Sequence, residues 1–169
     1  LQLGPFTVEL IGLTHSIPEM QALAISTASG TVMHTGDWKF DEAPVVGNAS
    51  DQDRLAEYGK QGVLAMVCDS TNVFVPGRAG SEDTVRTNLI ARIKECEGRV
   101  FVSTFASNVA RLQTLIEAAE ATDRKIVLAG RSLWRVTEAA REAGYLKGIE
   151  FLPETAAADI PRDKLMIIC

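Results

Sequence analysis

The sequence has few cysteines, few aromatic residues and no long apolar run. Its three cysteines, Cys68, Cys96 and Cys169, lie far apart without a CxxC pair, so they indicate neither a disulfide framework nor a zinc ribbon, and they are typical of a reducing cytoplasm. No apolar run approaches the roughly 18 residues that a membrane span needs. The first residues, LQLGPFTVEL, lack the basic start and cleavage site of a signal peptide. We therefore expect a protein that is neither inserted into a membrane nor exported.

Positive charge is also in deficit. The chain has 17 basic and 22 acidic residues, a net charge of −5, which argues against nucleic-acid binding by bulk electrostatic attraction and leaves only local basic clusters for that role. The 169 residues, 46% of them hydrophobic, are enough to bury a core without cross-links. The chain begins at Leu1 without a methionine and ends on the apolar stretch KLMIIC, so we expect both ends to be internal to a longer protein.

The pattern of apolar residues predicts an α/β fold in two parts. Short apolar runs at 6–12 and 21–27 read as consecutive strands of one sheet. The segment VPGRAGSE, from Val75, has the proline and glycine typical of a boundary, and a helix is predicted directly after it. Beyond it strands and helices alternate, which predicts βαβ units and a parallel sheet. We therefore expect one domain over residues 1–74 and a second over residues 75–169.

Two loops in the second part carry residues suited to binding phosphate. Phe105, Ser107 and Asn108 follow a predicted strand at 99–104, and Arg131 and Ser132 follow another at 125–129. Backbone N–H groups at a helix start attract anions, and an arginine fork matches phosphate oxygens. The residue types leave two interpretations open: the serines are ordinary helix N-caps, or the loops form a phosphate cradle.

The first part carries four residues that suit a metal. His15, His34, Asp37 and Asp69 lie in loops or at strand ends close to small residues. Each has an ordinary alternative, since loop histidines often make structural hydrogen bonds and carboxylates often form turns. The spacing between His15 and Asp37 matches no compact ligand motif. The residue types alone therefore indicate only a possible metal site.

Taken in order, several motifs resemble one family. They are THSIPE, GTVMHTGDWKFD, CDSTN, PGRAGSE, GRVFVSTFASNVARLQ and RKIVLAGRSL. Together they resemble ribonuclease J of bacteria, in the β-CASP branch of the metallo-β-lactamase superfamily. The resemblance implies the end of a metallo-β-lactamase-like β-sheet segment followed by a β-CASP domain with a mainly parallel sheet flanked by helices. It also implies that RNA passes through the cleft between the two domains.

The resemblance assigns roles to individual residues. His15 and Asp37 match metal ligands of a centre of two divalent ions, Zn²⁺ or Mn²⁺, in which Asp37 bridges the ions. Asp37 and Asp69 are the implied catalytic residues, with Asp69 orienting a ligand or moving a proton. His34 matches no ligand and is expected to be structural.

The same resemblance assigns a substrate-binding role to the loops of the second part. Ser107, Asn108, Arg131 and Ser132 are expected to hold RNA phosphates or the 5′-monophosphate end. Phe105 is expected to stack on a base. A local cradle of this kind is compatible with a negative net charge.

The implied activity is that of a metal-dependent ribonuclease. It covers 5′ to 3′ exonuclease and endonuclease action in mRNA decay and rRNA maturation, by a cytoplasmic dimer or tetramer. The family's HxHxDH motif and its later histidine motifs are absent from this sequence, so we expect the isolated chain to be inactive. Two alternatives remain: a non-catalytic RNA-binding or assembly module of the same fold, and a β-CASP nuclease that acts on DNA or on mRNA 3′ ends.

Overall fold

The computed structural model describes residues 1–169 and divides them into two compact units. Unit 1 comprises Leu1–Ser81 and unit 2 comprises Glu82–Cys169. None of the helices combines the length and the apolar composition needed to cross a bilayer.

Unit 1 is built on a five-stranded sheet whose strands follow one another in chain order. The strands are β1 (Gln2–Leu3), β2 (Phe6–Leu13), β3 (Met20–Thr27), β4 (Gly30–His34) and β5 (Ala65–Val67), with helix α1 (Gln52–Gln61) between the last two. The first three pairings are antiparallel. The β4–β5 pairing is parallel, because α1 and its flanking loops return the chain to the edge at which β4 began. The predicted sheet of consecutive strands is confirmed.

The core of unit 1 lies between this sheet and α1. Alternate side chains of β2 and β3 point to the same face, as strand geometry requires. The buried set is Ile11, Leu13, Ala22, Ala24, Met33 and Tyr58. Asp51 is the N-cap of α1, and its side chain accepts a hydrogen bond from the Arg54 N–H, as is common for aspartate at a helix start.

Unit 2 contains a four-stranded, entirely parallel sheet flanked by helices, and this confirms the predicted fold class. Its elements are α2 (Glu82–Lys94), β6 (Val100–Val102), α3 (Val109–Glu120), β7 (Lys125–Leu128), α4 (Arg131–Glu142), β8 (Phe151–Pro153), two short 3₁₀ helices and β9 (Leu165–Ile168). The strand order is β6-β9-β7-β8. The last strand therefore inserts between β6 and β7.

The strands of unit 2 bury side chains on both faces. Ile126, Leu128, Met166 and Ile168 belong to the larger cluster, together with apolar residues of α2, α3 and α4. Alternate residues of the same strands, such as Val127 and Ile167, form a smaller cluster with Ile160. Near-continuous apolar strands are expected in a parallel sheet that is covered on both faces.

Arg124 is a buried arginine that joins three parts of unit 2 without a carboxylate partner. It is 7% exposed, and its guanidinium donates to the carbonyl oxygens of Gly98 at 2.8 Å, Cys96 at 2.5 Å and Leu165 at 3.3 Å. These carbonyls lie after α2 and at the start of β9. Several carbonyl dipoles therefore replace the water that the guanidinium loses.

Helix α1 is fastened to strand β2 by a charged cluster. Arg54 donates to both carboxylate oxygens of Glu9, at 2.6 and 2.7 Å, and the Tyr58 hydroxyl donates to the same carboxylate at 2.7 Å. The guanidinium also lies 4.6 Å from the centroid of the Tyr58 ring. The bonds from Arg54 and Tyr58 lower the pKa of Glu9 from its usual 4.5 to about 2.

Substitution of Glu9 should reveal the contribution of this cluster to stability. Because the pKa of Glu9 is lowered in the folded state, its contribution is complete above about pH 4.5 and is lost as the pH falls towards 2. We expect Glu9→Gln to lower the melting temperature at pH 7, and we expect the difference from wild type to shrink between pH 4.5 and 2. Thermal melts across this range measure it, with the exposed Glu42→Gln as control. A difference that stays constant with pH would contradict the assignment.

Candidate functional site

The topology of unit 1 brings three predicted site residues to one edge of its sheet. Because β3 runs antiparallel to both β2 and β4, these two strands share a direction, and β5 is parallel to β4. The carboxyl ends of β2, β4 and β5 therefore lie at the same edge. His15 follows β2, Asp37 follows β4 and Asp69 follows β5. The sequence places these residues far apart along the chain, and the fold brings them to a common edge.

Thr14 locks the loop that carries His15 to the loop that carries Asp37. Thr14 and Lys39 form an antiparallel bridge, in which the Lys39 N–H donates to the Thr14 carbonyl at 3.0 Å. The buried Thr14 hydroxyl donates to the Lys39 carbonyl and accepts from the Asp41 N–H at 3.1 Å. These bonds fix both loops against each other.

Thr35 and Trp38 connect the Asp37 loop to the Asp69 loop. The Thr35 N–H donates to the Val67 carbonyl at 3.0 Å, and the Thr35 hydroxyl accepts from the Asp69 N–H at 3.2 Å. The indole N–H of Trp38 donates to the Asp69 carbonyl at 3.3 Å and also lies 3.3 Å from the Cys68 sulfur. All three loops are therefore interlocked through backbone and hydroxyl groups, and the three site side chains take no part in the locking.

The electrostatics of the edge favour an ionised Asp69. The Thr71 hydroxyl donates to Asp69 Oδ1 at 2.6 Å, and the Thr71 N–H donates to the same oxygen at 3.0 Å. These two bonds, followed by the nearby His15, hold the pKa of Asp69 below its usual value. His15 in turn lies within hydrogen-bond distance of the Ser16 hydroxyl, with 3.1 Å between Nδ1 and Oγ.

Asp37 and His34 are held by fewer hydrogen bonds than Asp69. Asp37 is exposed and its carboxylate has no hydrogen bond or ion pair. His34 is also exposed, and its Nδ1 accepts a hydrogen bond from the Gly36 N–H at 3.1 Å, which stabilises the turn before Asp37.

The donor types at this edge suit a metal, but they do not amount to a complete site. Imidazole and carboxylate groups are the ligands that Zn²⁺ and Mn²⁺ accept. However, the chain contains no group of three or more histidine, cysteine, aspartate or glutamate side chains placed to hold an ion. The residues of this chain alone therefore do not fit the two-metal centre that the sequence resemblance implies.

In unit 2 the loop after β6 lines a cavity of about 490 Å³. The lining residues are Ser103, Thr104, Phe105, Asn108 and Arg111. Phe105 is 85% exposed. Asn108, not Ser107, is the N-cap of α3, and its Oδ1 accepts from the Arg111 N–H at 2.9 Å. The cavity therefore combines hydroxyl, amide, guanidinium and aromatic groups at one strand end.

The N-cap interpretation of the two serines is wrong. Ser107 is exposed and precedes the cap residue, while Ser132 is exposed at the second position of α4. Gly130 occupies the N-cap of α4 with φ of 126°, a conformation that favours glycine, and it provides no side chain to cap the helix. The first N–H groups of α4, beside the exposed Arg131, thus have no side-chain cap.

Charge is unevenly divided between the two units. Unit 1 has nine acidic and four basic residues, which accounts for the whole net charge of −5, whereas unit 2 has thirteen of each. The unit that carries His15, Asp37 and Asp69 is therefore acidic, and the unit whose loops are predicted to bind phosphate is neutral.

Comparison with known proteins finds similarity to ribonuclease J along nearly the whole chain. The model of the family "Ribonuclease J, beta-CASP domain" matches residues 97–169. Ribonuclease J of Sinorhizobium meliloti is 47% identical over 169 residues, which cover 99% of this chain and 30% of that protein. Ribonuclease J of a Synechocystis species is 42% identical and is matched over 96% of this chain and 26% of its own length. The chain belongs to the ribonuclease J family.

The chain spans less than a third of the length of either ribonuclease J. Among solved structures, a crystal structure of a protein of unknown function from Enterococcus faecalis V583 matches all of this chain and 43% of its own, with a TM-score of 0.64 and 16% identity. At that identity the likeness supports the fold alone.

Sequence reasoning missed the residues that hold the three candidate site residues in place. Thr71 had a local signal, because a hydroxyl two residues after an aspartate is typical of a side-chain turn. Thr14, Thr35 and Trp38 had none, since their partners lie 25 to 34 residues away. The partnership of Arg111 with Glu82, 29 residues apart, was equally invisible.

Replacement of Thr71 should change the titration of Asp69. Thr71→Val removes the hydroxyl bond that is the largest cause of the lowered pKa, so we expect the pKa of Asp69 to rise towards its usual value. Carboxyl ¹³C NMR titration measures it directly. Ser70→Ala, which removes a neighbouring hydroxyl that does not contact the carboxylate, is the matched control. Equal pKa values in wild type and Thr71→Val would refute the role of Thr71.

Proposed function

We propose that this chain forms part of a metal-dependent ribonuclease of the ribonuclease J type, which hydrolyses RNA phosphodiesters as a 5′ to 3′ exonuclease and endonuclease in mRNA decay and rRNA maturation. The observation that carries the proposal is the arrival of His15, Asp37 and Asp69 at one sheet edge on interlocked loops. The printed name of the relatives supports RNA as the substrate.

The different surroundings of the two aspartates support different roles. Asp37 is exposed and both its oxygens lack a protein partner, which suits a carboxylate that bridges two divalent ions. Asp69 has one oxygen engaged by Thr71 and is held ionised, which suits a residue that orients a ligand or moves a proton. His15 is the imidazole ligand of the proposal. Divalent ions, Zn²⁺ or Mn²⁺, held by these residues together with ligands from the rest of the full-length protein would activate a water and stabilise charge on the phosphate.

Unit 2 supplies the proposed RNA contacts. Phe105 is exposed enough to stack on a base, and Asn108 lines the cavity beside it. Arg131, Ser107 and Ser132 are exposed at or before the starts of α3 and α4, where phosphate oxygens are favoured. Because unit 2 is neutral overall, we attribute RNA binding to these local groups.

The cellular setting of the proposal is the cytoplasm. The three cysteines are free, which supports a reducing compartment. Assembly into a dimer or tetramer stays a prediction.

The activity test compares this chain with a full-length ribonuclease J that carries the segment. We expect the full-length enzyme to degrade a 5′-monophosphorylated RNA with Mn²⁺ or Zn²⁺, and we expect the isolated chain to be inactive. Asp37→Ala in the full-length enzyme should cost more than the roughly 10 to 100-fold typical of an outer-shell partner, because it removes a ligand. Gel-based degradation rates, with and without chelator, measure both.

Asp53→Ala, which removes an exposed carboxylate of α1, is the control and should retain full activity. Metal content is determined in parallel, so that loss of an ion is separated from loss of chemistry. An inactive full-length protein that still binds RNA would favour the non-catalytic binding module. Degradation of DNA in place of RNA would favour the sister nuclease.

Arg131 provides a separate test of RNA binding. We expect Arg131→Ala in the full-length enzyme to weaken RNA binding several-fold for all sequences and to lower the salt slope by about 1, because one phosphate contact is lost. Fluorescence anisotropy at several salt concentrations measures this. Arg92→Ala, which removes a solvent-exposed arginine on α2, should leave binding unchanged. Unchanged binding in Arg131→Ala would return this loop to the status of an ordinary helix start.

A further inference from the structure

The cavity after β6 presents hydrogen-bond donors that no protein group uses. The hydroxyls of Ser103 and Thr104 line it and make no hydrogen bond within the chain. Asn108 uses its Oδ1 to cap α3, so its amide N–H groups remain without a partner. The lining therefore offers unused hydroxyl and amide donors to a ligand.

Arg111 adds a charged donor to the same cavity. Its Nη2 donates to Glu82 Oε2 at 3.3 Å, while its Nε is buried and has no acceptor. Glu82 is itself 9% exposed, so the carboxylate that holds the guanidinium is fixed in the body of unit 2. The Nη1 of Arg111 also has no partner and, unlike Nε, is not buried, so it is the donor that a ligand in the cavity can reach.

A comparison with Arg86 and Arg124 shows what is particular to Arg111. Arg124 also has a buried Nε without an acceptor, but both of its Nη atoms donate to carbonyl oxygens, whereas Nη1 of Arg111 has no partner and is not buried. Arg86 places all three of its nitrogens on carboxylates: Nε and Nη2 on Asp83 at 3.0 and 2.6 Å, and Nη1 on Glu117 at 3.1 Å. Arg86 is a saturated structural arginine. Arg111 has a single long bond to one carboxylate and borders a cavity, so it retains capacity for another acceptor.

We propose that Arg111 binds a phosphate group of the substrate strand in this cavity, and that Glu82 is its positioning residue. A tetrahedral phosphate offers several acceptor oxygens, which match the accessible Nη1–H groups of Arg111 and the free donors of Ser103, Thr104 and Asn108. Phe105, at the rim, is placed for the adjoining base. The inference rests on the proposed function, since that function supplies a nucleic-acid strand as the source of phosphate.

The first test titrates this chain with uridine 5′-monophosphate, with the 5′-hydroxyl dinucleotide UpU and with uridine. The three probes separate a terminal monoester, an internal diester and a nucleoside without phosphate. We expect the Nε–H resonance of Arg111 to shift with at least one phosphate probe and not with uridine. Because this readout uses the wild-type chain, it does not depend on the folding of any variant. No shift of that resonance with either phosphate probe would overturn the proposal.

The second test uses two matched substitutions. Arg111→Lys keeps the charge but removes the Nη1–H groups and the planar fork of the guanidinium, so we expect it to weaken binding of the preferred probe by about tenfold or more. Arg86→Lys, in the same unit and away from the cavity, should bind as wild type does. Melting curves confirm that each variant is folded. Equal affinity of folded Arg111→Lys and wild type would overturn the proposal.

A third comparison separates this inference from the nuclease proposal. If a full-length ribonuclease J with the segment degrades RNA and its Arg111→Lys variant has the same KM and kcat, the phosphate role of Arg111 is refuted and the nuclease function stands. If the full-length protein lacks nuclease activity while the Arg111 resonance still responds to phosphate, the phosphate site in the cavity is supported and the nuclease proposal is refuted.

Discussion

The direction of strand β3 is the constraint on which the site in unit 1 depends. Short connections of six and two residues require β3 to run antiparallel to both of its neighbours, so β2 and β4 must end at the same edge. The crossover through α1 then makes β5 parallel to β4 and delivers its end to that edge as well. Loss of this register by one residue would turn the inward side chains of the strand outward. The site geometry and the apolar core are therefore fixed by the same ladder of bonds.

The loops at that edge are held by groups other than the site side chains. Thr14 and Thr35 are both buried. The Thr14 hydroxyl bonds two backbone groups of the Asp37 loop, and the Thr35 hydroxyl bonds one backbone group of its own loop and one of the Asp69 loop. Neutral hydroxyls can make these links without competing for a cation. As a result the carboxylate of Asp37 is left free, and Asp69 is engaged at only one oxygen. A site arranged in this way keeps its charged groups available while its backbone stays rigid.

Much of the fold could be predicted from the sequence because its signals are local. Apolar runs bounded by glycine and polar residues indicate strands, Asp51 marks the start of α1, and regular alternation after Val75 indicates a parallel sheet. The strand order could not be predicted, because the insertion of β9 between β6 and β7 depends on packing on both faces of the sheet. The helix caps show the same limit: the motif TFASN offers two cap candidates, and only the backbone course decides for Asn108 over Ser107.

The candidate site could be predicted from the sequence only in part. Residue types and family motifs point to His15, Asp37 and Asp69, but nothing local to them indicates Thr14, Thr35 or Trp38, whose partners are distant in sequence.

Arg111 is the clearest example of a role that the sequence does not indicate. In the sequence it is simply a charged residue in the first turn of a predicted helix, of the kind that is usually exposed to solvent. Its meaning comes from two facts that only coordinates provide: a buried Glu82 that fixes one edge of the guanidinium, and an accessible Nη1 without a partner beside a cavity. Arg86 has the same chemistry and the same unit, yet its nitrogens are saturated. What distinguishes a binding arginine from a structural one here is therefore the balance of donors and acceptors around it, and not the residue type or its charge.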